Sequence, residues 1–500
     1  MAGRREAEVG AVYTFRLPDG RFGACQVVAE APDHWGETPG VHCGHSSCVE
    51  VVTFDYLSSD RPTAESASQL KVLRQTWDQD GKPARHNVER RVPWWAERVA
   101  VIQPIETFTD PCLSFQRWSA ILGAYHRYQW ERGTRRVWRF DGSRVRVDLG
   151  GEPAELRRDA SSVSIGPDGV LRSPAAGHVK FDALDTLPCL TGIEYTGRDP
   201  GVLAYVISRK LPALTWHGHG RRTIDLRASR IEELALDVHD QPVTLHAPET
   251  LRVLTVSGHV DQLAVEGAHL EFPFRVVLQG AQICRPPRGL EAALDVEYAG
   301  LIDTDTSGLA SYSRLAELTL RGAPGKLHDA STFACLSSLR ELEIDQLYGL
   351  DVEHWPVHWS RLDGLRMNGV RKIDADAIQA ALAYGPDLLI TWARDDAWVE
   401  AHPGNPFRWW GEHDRPLGSA ACAAWNQART EMTKLGAHAE PAQAKQVLQG
   451  LVTDLNLLAS NYDIEITRRE QARDAFFNLA RDVGISDDQA SSWFDEWRDF

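Results

Sequence analysis

The feature that most constrains the fold of this 500-residue chain is a recurrence. Pairs of apolar residues in an L-x-L arrangement return as Ile193/Tyr195, Leu214/Trp216, Leu234/Leu236, Leu254/Val256, Phe274/Val276, Leu294/Val296, Leu318/Leu320, Leu342/Ile344 and Leu365/Met367. Successive pairs lie 20 to 24 residues apart. In most of them another apolar residue stands three before the pair, at Leu190, Leu211, Ile231, Leu251, Leu315, Leu339 and Leu362. Apolar residues at alternate positions mark a strand with one buried face. A unit this short cannot bury that face alone, so neighbouring units must stack into a continuous core.

This LxxLxL pattern, held through nine registers between about residues 186 and 395, resembles a leucine-rich repeat. The resemblance implies a solenoid of parallel strands about 4.8 Å apart. The apolar pairs would point inward and the intervening residues would line a concave, partner-binding surface. Two features depart from that family. Its Asn or Cys position, three residues after the pair, is occupied by His219, His239 and His259 in three consecutive units, then by Gln279 and Ala299. The return side of the 20-residue units also carries apolar pairs, Ile224/Leu226, Val243/Leu245 and Leu263/Val265, which predict an extended rather than a helical return. A plain two-sided β-solenoid is the alternative.

The flanks read differently. Residues 12–28 predict a hairpin, with VYTFRL and FGACQVV joined at Pro18-Asp19-Gly20-Arg21, where Pro presets φ and Gly accepts a positive one. Further strands are expected at 51–57 and 99–105, with 58–91 as a polar surface excursion, so 1–110 reads as a small β-rich domain. Its opening, GAVYTFRLPDGRFGACQVV, resembles bacterial immunity proteins of the immunity protein 26 type, which implies a toxin-neutralising role. A helix over 113–132 and short hairpins fill 111–185. After the solenoid of 186–395, a Pro- and Gly-rich junction leads into a helical domain, 396–500. There, helical spacing is expected at 420–435 and 441–460. Thr467 to Glu470 reads as a capping box, Gly484 as a helix stop and Ser486-x-x-Gln489 as a further start. This domain would cap the solenoid's open end. The fold class expected is therefore mixed: a β-rich N-terminal domain, a leucine-rich-repeat-like parallel β solenoid of about nine repeats, and an α-helical C-terminal cap.

Composition narrows the function. Apolar residues make up 43% and charged residues 25%, enough to build a core and to exclude disorder through most of the chain. A formal charge of −16 disfavours nucleic acid and anionic membranes as partners. No stretch is apolar for long enough to cross a membrane and no secretory leader is visible, so a soluble, cytoplasmic protein with reduced thiols is expected. No phosphate-binding loop, GxGxxG, HExxH or GxSxG motif occurs. No cofactor is expected.

Several residues invite a chemical reading. His219, His239 and His259 would stack about 5 Å apart and could bind a transition metal or sense pH, or simply bond turn backbone as Asn does in the repeat. His42, Cys43, His45 and Cys48 carry zinc-ligand chemistry without a paired-knuckle spacing. Asp303, Asp305 and Ser307-Gly308 imitate the start of a calcium loop, but position twelve is Arg314 instead of Glu. Arginines interleave with aromatics over 127–146 in a pattern compatible with single-stranded nucleic acid. The tryptophans of Trp94-Trp95 and Trp409-Trp410 could be partner hot spots.

The positions flanking the later L-x-L pairs carry the functional expectation. Asp295, Glu297, Glu317, Arg321, Glu341, Glu343, Asp345 and Arg366 would share the concave face, and six of the eight are acidic. The expected function is a non-enzymatic interaction module, an adaptor or immunity-type binder, engaging a basic protein or peptide there. The alternative is an enzyme or metalloprotein of unfamiliar type. Its site would lie in the N-terminal domain or at the junction bearing Trp409, Trp410, His413 and Asp414.

Overall fold

The computed structural model describes residues 6–17, 21–30, 48–74, 83–105, 118, 121 and 143–499, except 91, 94, 159, 168, 175–177, 240, 269, 271–273, 281, 351–354, 356–360, 383–385, 402–404, 409, 437–439, 463 and 465. The expected 113–132 helix, His42, Cys43 and His45, the aromatic-rich part of 127–146, Trp94 and Trp409 lie outside these residues, Trp118 and Ile121 aside. The chain divides into two compact units, Met1–Ala393 and Arg394–Phe500.

The first unit opens with five antiparallel strands: β1 (Ala11–Arg16), β2 (Phe22–Glu30), β3 (Cys48–Thr53), β4 (Arg85–Glu89) and β5 (Glu97–Val101). They pair in the order β4-β3-β2-β1-β5. The predicted hairpin is β1–β2, with Val12 opposite Gln26 and Arg16 opposite Phe22. Both faces of this sheet are covered. Tyr13, Phe15, Cys25 and Val27 enter one core and Val12, Ala24 and Val52 the other. β4 falls inside the expected polar excursion, where its sequence RHNVE shows no apolar alternation. Pairing with β3 and a buried Arg85–Glu50 ion pair at 2.6 Å offset the burial of its polar side chains. Cys48 is disulfide-bonded, against the expectation of reduced thiols, while Cys25, Cys189, Cys284, Cys335 and Cys422 form no disulfide.

A hairpin of β6 (Arg144–Val147) and β7 (Ala154–Arg157) precedes the main sheet. Eleven strands then hydrogen-bond side by side: β8 (Ser162–Ile165), β9 (Gly192–Thr196), β10 (Ala213–His217), β12 (Glu233–Val238), β14 (Val253–Gly258), β16 (Arg275–Gln279), β17 (Asp295–Asp305), β18 (Glu317–His328), β19 (Glu341–Tyr348), β20 (Gly364–Asn368) and β21 (Asp387–Thr391). Every pairing in this sheet is parallel. Leu214, Leu234, Leu254, Val276, Val296, Leu318, Leu342 and Leu365 stack in one buried column, and Trp216, Leu236, Val256, Leu278, Tyr298, Leu320, Ile344 and Met367 in the next.

Two registers differ from the sequence expectation. The pairs are Val276/Leu278 and Val296/Tyr298 rather than Phe274/Val276 and Leu294/Val296. Phe274 and Leu294 are also buried, which made the earlier register equally apolar on paper. A shift of two residues preserves strand parity, so the residues between the pairs stay on the same face. The sheet also extends one strand beyond the repeats at each end, at β8 and β21.

In the connections between β10 and β16, β11 (Thr223–Asp225), β13 (Val243–His246) and β15 (Leu263–Glu266) form a second parallel sheet, as the apolar pairs there predicted. Two later connections carry 3₁₀ turns, Ser307–Ser311 and Ser331–Cys335, while α-helices lie between β9 and β10 (Gly201–Arg209) and between β20 and β21 (Lys372–Ala381). Where rungs stack this closely the turns admit little bulk. Gly289 has φ +91°, and a Cβ there would lie 2.0 Å from the Val265 carbonyl oxygen.

The second unit contains helices Arg415–Leu435, Pro441–Ala459, Ile466–Asp482 and Asp487–Trp497 around their own core of Phe407, Trp410, Leu448, Leu455, Phe476 and Phe494. Ser486 caps the last helix by accepting the Gln489 N–H, and Gly484 adopts φ +77°. The third helix starts at Ile466, so Thr467 lies within its first turn instead of at the expected cap.

Gly289→Ala should lower stability by about 2 kcal/mol or more, since it adds both left-handed strain and a backbone clash. Gly280→Ala, where nothing lies near the added methyl, should stay within about 0.5 kcal/mol. Denaturant melts of the two variants check this.

Candidate functional site

Side chains between the apolar pairs project to the face of the eleven-stranded sheet opposite its core, because neighbouring residues of a strand alternate. In-register pairing sorts them into columns. One column runs Arg275, Asp295, Glu317, Glu341; a second runs Glu297, Thr319, Glu343, Arg366; a third runs Arg321, Asp345, Asn368. All eight residues singled out from the sequence therefore lie on one face within four adjacent strands, β17 to β20. Along these columns stand six carboxylates and three guanidiniums.

The charges are not independent. Arg321 reaches three carboxylates: its Nε donates to Glu297 Oε1 at 2.9 Å, Nη2 to Glu343 Oε1 at 3.1 Å and Nη1 to Asp345 Oδ2 at 3.2 Å. Arg275, which sequence reasoning passed over, pairs with the other oxygen of Glu297 and approaches Asp295 at 4.0 Å. The Asn368 amide donates to Asp345 Oδ1 at 2.9 Å. These acidic side chains are only 13–19% exposed, so the network sits in a medium where its pairings count for more than at an open surface. Burial works against the charge of Arg321. The facing Glu343, Glu297 and Asp345 outweigh it and hold the guanidinium above its ordinary pKa. Arg275 and Asn368 share the parity of the acidic set, and that was the signal available for finding them.

A different tension remains in the first column. Asp295, Glu317 and Glu341 are direct cross-strand neighbours of like charge, an arrangement that disfavours pairing where opposite charges would favour it. Their strands are held by the apolar columns beneath.

The three repeat histidines do not form one donor set. His219 is buried and bonds backbone, His239 meets Asp237 Oδ2 at 3.0 Å, and His259 stands exposed before a 3₁₀ turn. Among the described residues no group of three or more His, Cys, Asp or Glu has metal-holding geometry. The calcium-like stretch is a strand end and a turn. Thr304 Oγ1 accepts the Ile283 N–H at 2.7 Å, the Thr306 hydroxyl donates to the Asp329 carbonyl at 2.6 Å, and Asp305 caps the Ser307 N–H at 2.7 Å. Trp95 packs edge-on against Phe15. In the second unit Trp410 is buried with its Nε1–H on Gln471, Asp414 caps the following helix through the Leu417 N–H, and His413 ends the short helix Trp410–His413. No helix among the described residues is long and apolar enough to cross a membrane. No family model, curated protein or solved structure matches the chain.

Arg321→Met keeps the aliphatic stem but leaves three clustered carboxylates facing one another. Stability at low salt should fall by about 1–2 kcal/mol, three partly exposed pairs being worth roughly 0.2–1 kcal/mol each. The deficit should shrink as added salt screens the repulsion among those carboxylates. Denaturant melts of both proteins at low and high salt measure it.

Proposed function

We propose that this chain is a protein-interaction module built on a leucine-rich-repeat-like solenoid, with the charged face of β17–β20 as its binding surface and a basic protein or peptide segment as its partner. The observation that carries this reading is the in-register column Asp295–Glu317–Glu341. Three carboxylates stacked on adjacent strands present a row of acceptors that cationic groups of a partner would complement. The eleven parallel strands support the solenoid reading. So do the connections, extended in the 20-residue units and 3₁₀ or α-helical elsewhere. On the concave side of such a stack, a rigid row of carboxylates spaced by the strand separation fits an extended basic segment. Its electrostatics would accelerate encounter and reject acidic competitors.

Within the face the residues take different roles. Arg321 and Arg275 hold Glu297, Glu343 and Asp345 in place, while Glu317 and Glu341 of the first column meet the partner's cations. An adaptor role follows directly, and an immunity-type role would be one instance of it.

The test is affinity capture from native lysate, with the captured partner then titrated against the wild type and against Glu317→Lys/Glu341→Lys, which leaves the Arg321 hub intact. An unchanged melting temperature and an affinity at least tenfold lower, with steep salt dependence in the wild type, are expected. Equal affinity for the folded double variant would remove this face from the binding surface.

A further inference from the structure

A buried imidazole ties the turn that leaves β10 to the neighbouring strand. His219 is 5% exposed, and both ring nitrogens are committed to main chain. Nδ1 accepts the Arg221 N–H at 3.0 Å, and Nε2 donates to the Asp237 carbonyl oxygen, on the neighbouring strand, at 2.8 Å. A backbone N–H can only donate and a carbonyl can only accept, so these contacts require the neutral ring with its proton on Nε2. Protonation would set an N–H on Nδ1 against the N–H of Arg221, two donors facing each other in a buried turn. A second tie, from the Gly218 N–H to the Asp237 carboxylate, restrains the same turn. Gly218 and Gly220 take φ +63° and +58°, and nothing packs against Gly218 where a Cβ would be.

Asp237, His239 and Arg221 act on the ring, and Arg198 lies beside the turn. From β12, the Asp237 carboxylate accepts the Gly218 N–H with both oxygens at 2.9 Å. From the turn after β12, His239 pairs with that carboxylate, its side chain 59% exposed. Arg221 comes from the same turn as His219, and the Arg198 side chain, from the turn after β9, packs against Gly220. Burial disfavours the imidazolium, Asp237 favours it, and His239 and Arg221 oppose it; the balance places its titration below the ordinary 6.5.

We propose that His219 is a pH-operated latch: its neutral ring ties the 218–221 turn to the next rung, and acid releases that turn while the strand stack remains formed. The sign follows from proton counting. Between the lowered folded value and 6.5 the unfolded chain binds more protons than the folded one. The latch's contribution is therefore complete above pH 6.5 and is lost as pH falls through that interval. This inference stands on the turn geometry and is independent of the binding face.

Amide exchange on the full chain tests it, read by mass spectrometry on a peptide spanning 217–222 at pH 7.5 and 5.0 and corrected for intrinsic exchange. The wild type should lose at least tenfold protection there at pH 5.0, with peptides covering β14 and β16 unchanged. Asn at this position offers an acceptor for the Arg221 N–H and does not titrate, so His219→Asn should be flat across the same range, and His239→Asn should keep the wild-type loss. A flat wild type, or an equal loss in His219→Asn, overturns the latch. Should His219→Asn not fold, the ring's own ¹⁵N shifts decide. A neutral Nε2–H tautomer at pH 7.5 that charges below 6.5 supports it, and an Nδ1–H tautomer or a ring already charged at neutral pH overturns it.

Discussion

In-register parallel hydrogen bonding between successive strands is the constraint on which residues 162–391 depend. Because side chains alternate along a strand, one register decision assigns every residue to the core or to the opposite face. The same pairing that stacks Leu254, Val276, Val296, Leu318 and Leu342 in the interior stacks Asp295, Glu317 and Glu341 outside. A slip of one residue would expose apolar side chains worth about 1.5–3 kcal/mol each when buried and drive carboxylates into the core. Core and charged face therefore specify each other.

Period and parity were legible in the sequence; exact register was not, wherever apolar residues continued past the pair. Phe274-Arg275-Val276-Val277-Leu278 offers two L-x-L readings of the same parity, and only pairing to β14 selects Val276/Leu278. The outer strands escaped for other reasons. Val163 pairs with Ile193 across an interval longer than the repeat, and the side chains of β21 are only half-buried. β4 carries polar residues into a buried sheet and has no pattern to read; its Arg85–Glu50 pairing exists only once the strands are side by side.

The composition of the charged face was legible in the same way, through parity, but its internal wiring was not. Nothing in the sequence shows that Arg321 meets three carboxylates, two of them on the following strand and one on the preceding strand. Those contacts depend on side-chain reach across rungs. The histidines give a sharper case. His219, His239 and His259 occupy one repeat position yet sit in three environments, because Asp237 lies beside the first two and the third follows Gly258 with its φ of +84°. Equivalent sequence positions become chemically equivalent only when neighbouring rungs supply the same partners.

The most direct test of the account is a distance along one column of the face. Thr255 and Arg366 are joined by five successive in-register steps through Val277, Glu297, Thr319 and Glu343, about 24 Å at the usual strand spacing. Spin labels on cysteines introduced at these two positions, with the label background of the unsubstituted chain subtracted, should give one narrow distribution between about 20 and 30 Å by double electron–electron resonance. A broad distribution, or one centred well beyond that range, would mean that the rungs are not stacked in register and that the charged face does not exist as a surface.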